Sequence, residues 1–339
     1  MGNNTSITEH KRHYYRELLC IGVPIIIGQL GTIILGFADT LMIGHHSTEE
    51  LAAAGLVNNI ITFILVSYMG FSYGLTPIIG KLYGMEKTDK IGQKVKNSFF
   101  ANMVVGVIFS LALIILYFNL HRIGQPEELL ALIRPYFIVN LISVLFVGVF
   151  NTLKQFLDGI GNTKVAMWVM IMGNIVNIFG NWVLIYGVGP CPEMGLLGAG
   201  ISTLASRVLM AVAMVGIIAG TKEYREYRNN IIASRINGAD FREMNRLGWP
   251  VALQLALESG AFTLSCVMVG WLGTIPLAAH QVMITISQLF SLVLSGMAAA
   301  LAIRVSHFVG QNDFAAVRRN AYDGWRLNLL FSLCMGIPV

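Results

Sequence analysis

Long apolar stretches, separated by short polar connections, run along the chain from residue 18 to residue 339. A helix that crosses a bilayer needs about 20 mostly apolar residues. Nine stretches approach or exceed this length: 18–44, 51–80, 98–118, 134–153, 165–187, 196–219, 247–273, 277–303 and 325–339. The pattern therefore predicts an all-α polytopic membrane protein with nine spans, the last of which is cut short.

The basic residues fall almost entirely on alternate connections. The N-terminal arm, 1–17, and the second, fourth, sixth and eighth connections hold 20 of the 23 Lys and Arg residues. If every span crosses the membrane, these segments all lie on one side, and the positive-inside rule makes that side the cytoplasm. We therefore expect a cytoplasmic N-terminal arm and a location in the cell inner (plasma) membrane.

The composition agrees with this topology and excludes several classes of protein. Hydrophobic residues make up 55% of the 339 residues and charged residues 12%, whereas soluble domains are about a quarter charged. Because the net charge of +5 lies almost wholly on one predicted side, it indicates topology rather than a nucleic-acid partner. The four cysteines show neither metal-ligand spacing nor a disulfide framework, and we expect no cofactor.

The sequence repeats itself weakly at a shift of 226 residues. Residues 16–84 share 14 identities with residues 242–310, where chance predicts roughly five or six for so biased a composition. Several identities are glycine or proline pairs, such as Pro24 with Pro250. Both copies begin on the same predicted side, so the repeat is parallel, as in transporters whose substrate path lies between two halves.

The repeat predicts an N-lobe at 18–220, a cytoplasmic linker at 221–245 and a partial C-lobe at 246–339. Six predicted spans fall in the N-lobe and three in the C-lobe. A second copy of full length would need about three more spans, which makes about twelve in all. We therefore expect a chain truncated at its C-terminus, and the alternative is a natural nine-span protein.

Polar side chains of the N-lobe lie at one depth in the outer half of the predicted membrane. Asp39 lies about 7 Å below the outer end of its span, Asn181 about 9 Å and Thr203 about 10 Å. Asn177 shares the face of Asn181. Their oxygens suit a hard cation, with Asp39, Asn177 and Asn181 as the expected Na⁺ ligands, while a buried carboxylate could equally carry a proton. The alternative is that the asparagines hydrogen-bond neighbouring helices together.

A second acidic side chain, Glu258, lies near the middle of the seventh span, and Gln254 shares its face. The eighth span offers one polar face, made of Gln281, Thr285 and Gln288. An ionisable residue inside a span is costly and by default functional. We therefore expect Glu258 to bind a cation or proton and the neighbouring polar residues to line a substrate cavity. The alternative is a structural ion pair between Glu258 and Arg207.

A set of short motifs accompanies these polar residues. It consists of Gly36–Thr40 with Gly44, Asn177-x3-Asn181-Trp182 with Tyr186-Gly187, Gly198-x-Gly200, Glu258, and Ala278-Ala279-His280-Gln281. Each motif is weak alone. Together they span nearly the whole chain, and the combination resembles the MATE family of multidrug and toxic-compound extrusion transporters, in particular its bacterial NorM-like branch.

The resemblance implies a MATE-type bundle of two six-helix lobes, here with six N-lobe and about three C-lobe helices. It also implies a secondary active antiporter that exports amphipathic, mostly cationic drugs and toxic compounds in exchange for Na⁺ or H⁺. The residues that match the family's first-lobe cation site are Asp39, Asn177, Asn181 and Thr203, and Glu258 matches the second-lobe carboxylate. We expect small organic cations and membrane lipid as partners, a monomer, and no enzymatic activity.

Other functions stay open on the sequence. A flippase for lipid-linked saccharides, from the same superfamily, should have a more cationic cavity, whereas the charges that face the lobes here are two acids and one arginine. A membrane-embedded enzyme needs clustered catalytic residues, and the sequence contains no H-E-x-x-H, G-x-S-x-G or Walker motif. A receptor or channel is not excluded, but the parallel repeat favours a transporter.

Overall fold

The computed structural model describes residues 2–123 and 126–336, and within them it contains helices, turns and no strand. Two short 3-10 turns, Leu120–Ile123 and Lys222–Tyr224, accompany the α-helices. The α-helices are Gly2–His46 (α1), Thr48–Tyr73 (α2), Leu75–Gly84 (α3), Thr88–Phe118 (α4), Glu127–Gly159 (α5), Thr163–Tyr186 (α6), Gly195–Gly220 (α7), Arg225–Ala233 (α8), Gly238–Gly270 (α9), Thr274–Gly310 (α10) and Phe314–Gly336 (α11).

Seven helical segments in the described part of the chain are long and apolar enough to cross a membrane. They correspond to the first six predicted spans and the eighth, so the chain is a multi-pass membrane protein. The seventh and ninth predicted spans form α9 and α11 but are not among those seven. Helix α11 carries charged and polar side chains as far as Asn328, which lowers its hydropathy.

The helices extend beyond the apolar stretches that predicted them. For example, α4 begins at Thr88 rather than at residue 98, and α9 begins at Gly238 rather than at residue 247. Hydropathy reports only the length of chain inside the bilayer. Backbone hydrogen bonding continues into polar sequence until a cap or a turn ends the helix.

Local chemistry explains two of the helix ends. Ser47 precedes α2 with extended backbone angles, and its hydroxyl accepts hydrogen bonds from the backbone N–H groups of Glu49 and Glu50. These two acids also lie in the first turn, where negative charge stabilises the helix dipole. Gly187 ends α6 with a φ of 65°, a left-handed conformation in which a side chain would be strained.

Helix α5 is central to the first copy of the repeat, α1–α7. It packs against α2, α3, α4 and α7, while α6 packs against α1 and α7. Its inward face carries fully buried aromatic and aliphatic side chains, such as Phe137, Val144 and Phe156. This arrangement holds α1, α6 and α7 side by side, and these are the three helices that carry the polar residues singled out above.

The repeat of 226 residues is confirmed by the backbone. Helix starts at Thr48 and Thr274 differ by this number, as do the ends of α3 and α10 and the starts of α4 and α11. In the described residues, the positive φ angles of non-glycine residues occur at Glu86 (57°) and Asn312 (58°), which are again 226 apart. The second copy, α9–α11, therefore reproduces the geometry of α1–α4.

The two copies meet in a symmetric pair of glycine contacts. A Cβ atom on Gly84 would lie 2.0 Å from the carbonyl oxygen of His307, and one on Gly310 would lie 2.1 Å from that of Lys81. Because 81 and 307 also differ by 226, each contact is the image of the other. The pairs Gly70–Ala252 and Gly296–Ile26 are also close, and they are related in the same way, because 70 and 296, and likewise 26 and 252, differ by 226. Only glycine lets the backbones approach this closely.

Polar contacts between the copies lie at the end of the bundle where the Lys- and Arg-rich connections lie, here called the basic end. Lys94 in α4 forms ion pairs with two acids in α9, with Asp240 at 2.6 Å between Nζ and Oδ1 and with Glu243. Arg304 Nη2 pairs with Glu17 Oε2 at 2.6 Å, and His307 Nε2 lies 2.7 Å from the Gly159 carbonyl oxygen. At the opposite end, Trp271 and Ile275 of the second copy are 77% and 83% exposed. The copies are therefore fastened together at the basic end.

Candidate functional site

Asp39 in α1 meets the polar face of α6. The side-chain Nδ2 of Asn181 donates a hydrogen bond of 2.5 Å to Asp39 Oδ1. Asn181 is fully buried, whereas Asp39 is partly exposed. The carboxylate therefore has one face against buried amides and another that molecules outside the helix core can reach.

Asn177, one turn before Asn181, completes the cluster and has two possible amide orientations. With its Oδ1 towards α1, it accepts from Asn181 Nδ2 at 3.1 Å, and the same oxygen lies 3.1 Å from Asp39 Oδ1. Its Nδ2 then donates to Thr203 Oγ1 at 3.2 Å. In the turned orientation, Nδ2 donates to Asp39 at 3.1 Å and Oδ1 accepts from Thr203. Oxygen and nitrogen of an amide are assigned from such contacts.

Helix α7 holds Asn177 from the other side. Ser202 Oγ donates to the Asn177 carbonyl oxygen at 2.7 Å, and Ser206 Oγ lies 3.4 Å from its side-chain nitrogen. A Cβ atom on Gly180 would lie 2.4 Å from Ser202 Oγ, so the two helices pack closely at this level. The structure thus brings Asp39, Asn177, Asn181 and Thr203 together, as their common predicted depth suggests. Ser202 and Ser206 were missed by the sequence reasoning.

The cluster has a buried oxygen atom that could serve as a ligand for a cation. The side-chain oxygen of Asn181 is buried and has no hydrogen-bond donor. An acceptor left in this state is costly inside a protein. In one orientation of Asn177, its oxygen and that of Asp39 also face each other at 3.1 Å. Carboxylate and amide oxygens are ligands of hard cations, and a proton between the two facing oxygens would equally join them.

Arg207, one turn beyond Thr203 in α7, turns towards α5. Its Nη1 donates to Ser143 Oγ at 2.5 Å, and Ser143 in turn donates to the Asn140 carbonyl oxygen. In the described residues of this conformation, no ion pair joins Arg207 to Glu258.

Three further polar residues, Tyr136, Asn58 and Asn140, extend this network and were also missed. Tyr136 in α5 is buried, and its hydroxyl donates to Asn58 Oδ1 in α2 at 3.0 Å. Asn140 donates to the Tyr136 carbonyl oxygen one turn earlier. The spacing of Tyr136, Asn140 and Ser143 at three and four residues puts them on one face of α5. This spacing of polar residues is visible in the sequence and could have predicted a polar face on α5.

Among the described residues, no hydrogen bond joins the polar face of the second copy to this cluster, and none joins two of its side chains. Glu258 and Gln254 are exposed on α9, and no hydrogen bond or ion pair involves Glu258 in the part of the chain that is described. On α10, the Thr285 hydroxyl donates to the carbonyl oxygen of Gln281. The three polar side chains of that face are exposed: Gln281, Thr285 and Gln288. They are accessible, but they do not form a closed site with Glu258.

Comparison with protein families matches the chain to the family described as MatE, over residues 24–183 and 250–339. The starts of the two matched stretches differ by 226, the length of the repeat. The chain is 30% identical, over 324 residues, to a probable multidrug resistance protein NorM of Photorhabdus laumondii, covering 96% of this chain and 71% of that relative.

Two further comparisons agree. The chain is 27% identical, over 331 residues, to the multidrug resistance protein NorM of Photobacterium profundum, covering 96% of this chain and 72% of that one. A solved structure, described as the outward-facing conformation of a multidrug resistance MATE family transporter of the MOP superfamily, has the same fold. Its TM-score is 0.83 at 19% identity, covering 95% of this chain and 70% of that chain. The chain belongs to the MatE family.

Proposed function

We propose that this protein is a multidrug efflux transporter of the secondary active type, which exports amphipathic, mostly cationic compounds in exchange for Na⁺ or H⁺. Relatives named multidrug resistance proteins, at 27% and 30% identity over nearly the whole chain, support export of drugs. The proposal places the protein in the inner membrane with its basic end in the cytoplasm. It has no enzymatic step.

The observation that carries the proposal is the Asp39–Asn181 contact, with an unsatisfied amide oxygen beside it. A carboxylate within a span is costly, and this one is partly exposed rather than neutralised by a buried basic partner. A cation bound between Asp39 and Asn181 would be coordinated by the unsatisfied Asn181 Oδ1 and would balance the negative charge of Asp39. A proton would balance the charge alone.

The orientation of the Asn177 amide would depend on whether an ion is bound at Asp39. When a proton or cation lies at Asp39, the oxygen of Asn177 is the better group to face the carboxylate. When the ion leaves, the nitrogen is better, because it can donate to the bare carboxylate at 3.1 Å. Turning the amide changes its contacts with Thr203 and Ser206 in α7, so ion binding alters how α6 and α7 fit together.

The contacts between the two copies support alternating access. The glycine contacts and ion pairs at the basic end close the bundle there, and the exposed residues at the other end leave the second copy open. With the basic end in the cytoplasm, this arrangement faces outward. A transport cycle then requires the basic-end contacts to break while the other end closes.

Glu258 is the proposed partner of a cationic substrate. It is exposed, as are Gln254 and two apolar neighbours on α9, Leu253 and Leu257, which are 59% and 65% exposed. An acid beside apolar surface suits a molecule that is both cationic and amphipathic. Gln281, Thr285 and Gln288 would add hydrogen-bonding groups. A flippase for lipid-linked diphosphates would need exposed cations in their place.

Dye uptake by everted membrane vesicles tests the proposal. Because the cytoplasmic face of these vesicles points outward, ethidium is added outside, either Na⁺ or protons are concentrated in the lumen, and accumulation of the dye is followed by fluorescence. We expect one of the two gradients to drive transport, and Asp39→Asn to abolish it at normal expression. Asp89→Asn is the matched control, because Asp89 is exposed in the first turn of α4. Equal transport by the two variants would contradict the proposal.

A further inference from the structure

The connection between the two copies lies along α4 and rises towards the membrane. Glu226 in α8 accepts a hydrogen bond from Thr88 at the start of α4. One turn further, Gly92 of α4 lies against the backbone of Asn230. After another turn, Lys96 Nζ donates to the carbonyl oxygen of Ser234 at 2.6 Å. The connection thus follows one face of α4 for two turns.

This path ends at the boundary of the bilayer. The apolar stretch of α4 begins at residue 98, about 3 Å along the helix axis from Lys96. Lys96 also donates to the carbonyl oxygen of Ile232 at 3.2 Å, and the backbone N–H of Asn237 donates to Asn97 Oδ1 at 2.7 Å. The segment 232–236 is therefore held at the level where headgroups meet acyl chains.

The same segment lies on the lipid-facing side of α4. Lys96 is one turn before Phe100, which is 44% exposed, and the exposed apolar stripe of α4 continues at helical spacing through Val107, Leu111 and Ile115. A segment fastened to Lys96 thus lies where this stripe reaches the basic end.

Two isoleucines on this segment are largely exposed among the residues that the structure describes. Ile232 is 70% exposed and Ile236 is 56% exposed, although Lys96 donates to the carbonyl oxygen of Ile232 and Asn97 to that of Arg235. Between them, Arg235 is exposed, and no ion pair involves it within residues 126–336. Apolar side chains beside a cation at this depth match the glycerol and phosphate level of a lipid leaflet.

We infer that Lys96, Ile232, Arg235 and Ile236 form a binding site for the headgroup of an anionic phospholipid. Arg235 contacts the phosphate, and Lys96 contributes its remaining N–H donor and its charge. The two isoleucines insert beside the first carbons of the acyl chains. Because the segment joins the two copies of the repeat, bound lipid holds the connection at a fixed depth in the membrane.

Lipid preference tests the site. The purified chain is titrated with phosphatidylglycerol or phosphatidylcholine, and retained lipid is counted by native mass spectrometry. Each basic residue near an anionic surface contributes about 1 kcal/mol, so we expect Arg235→Gln to weaken binding of phosphatidylglycerol about fivefold and leave phosphatidylcholine unchanged. Arg318→Gln, an exposed basic residue in α11, is the control. An equal loss in both variants, or no preference in the wild type, would overturn the inference.

Depth is measured independently of affinity. Nitroxide labels are placed by Ile232→Cys, Ile236→Cys and Asn229→Cys in a background without the native cysteines, and relaxation by oxygen is compared with relaxation by a nickel chelate. We expect the labels at 232 and 236 to be relaxed by oxygen, and the label at exposed Asn229 by the chelate. A chelate-accessible label at all three positions overturns the inference, even if Arg235→Gln weakens lipid binding.

Discussion

Replacing Gly84 by alanine should open the basic end of the bundle. The new Cβ atom would lie 2.0 Å from the carbonyl oxygen of His307, and 3.4 Å is the lower limit of ordinary contact. The two backbones must therefore separate by roughly 1.4 Å, and no flexible side chain can yield instead. Overpacking of this kind costs about 1–3 kcal/mol.

This overpacking energy destabilises only the conformation in which the two copies are in contact at the basic end. An energy of this size changes the equilibrium between closed and open basic ends by about 5- to 150-fold in favour of the open state. Gly310→Ala should act alike, because its Cβ atom would lie 2.1 Å from the Lys81 carbonyl oxygen. Since both substitutions push apart the same two backbone segments, with a Cβ atom on Gly310 also 2.9 Å from the Gly84 Cα atom, their effects should not add.

Electron–electron resonance distances between two nitroxides measure the change. Labels at Lys90→Cys and Arg318→Cys, both exposed at the basic end of different copies, should show a longer distance population in Gly84→Ala. Gly216→Ala is the control, because a Cβ atom there meets nothing within 4 Å. If the distances in Gly84→Ala match those in Gly216→Ala, the glycine contact does not hold the basic end closed.

Two lysines that form ion pairs, Lys94 and Lys154, give further predictions. Lys94→Gln leaves the carboxylates of Asp240 and Glu243 without their shared cation, so the same nitroxide distances should lengthen; an unchanged distance would show that the pairs do not fasten the copies. The buried pair of Lys154 and Asp158 joins two positions of α5. Asp158→Ala leaves the Lys154 ammonium without its partner and should lower the free energy of unfolding by about 3–5 kcal/mol. The melting temperature in detergent should therefore be lower for Asp158→Ala than for the double variant Lys154→Met/Asp158→Leu. Equal melting temperatures would contradict this.

The architecture could be predicted from sequence because its determinants are local or periodic. The apolar stretches predict most of the spans, and the repeat predicts that Thr48 corresponds to Thr274 and Gly84 to Gly310, as the helix ends confirm. The close approach of Gly84 and Gly310 was not predicted. Identical glycines indicate that backbone shape is shared, but only the packed copies show which backbones touch.

The candidate site was predictable in part for a similar reason. Counting residues from the ends of the spans puts Asp39, Asn181 and Thr203 at one depth, and the structure places them together. Depth gives no information on rotation about the helix axis. The sequence therefore could not show that Arg207 turns to Ser143, or that Glu258 lies on an exposed face.

Ion release on drug binding tests the central claim that the Asp39 cluster exchanges its cation for cargo. The purified protein, in a weakly buffered solution with a Na⁺ indicator and a pH indicator, is mixed with tetraphenylphosphonium. If drug and ion bind in competition, each weakens the other by the same factor, so the wild type and Asp89→Asn should release Na⁺ or protons as the drug binds, and Asp39→Asn should bind the drug without release. Undiminished release from Asp39→Asn would contradict the account.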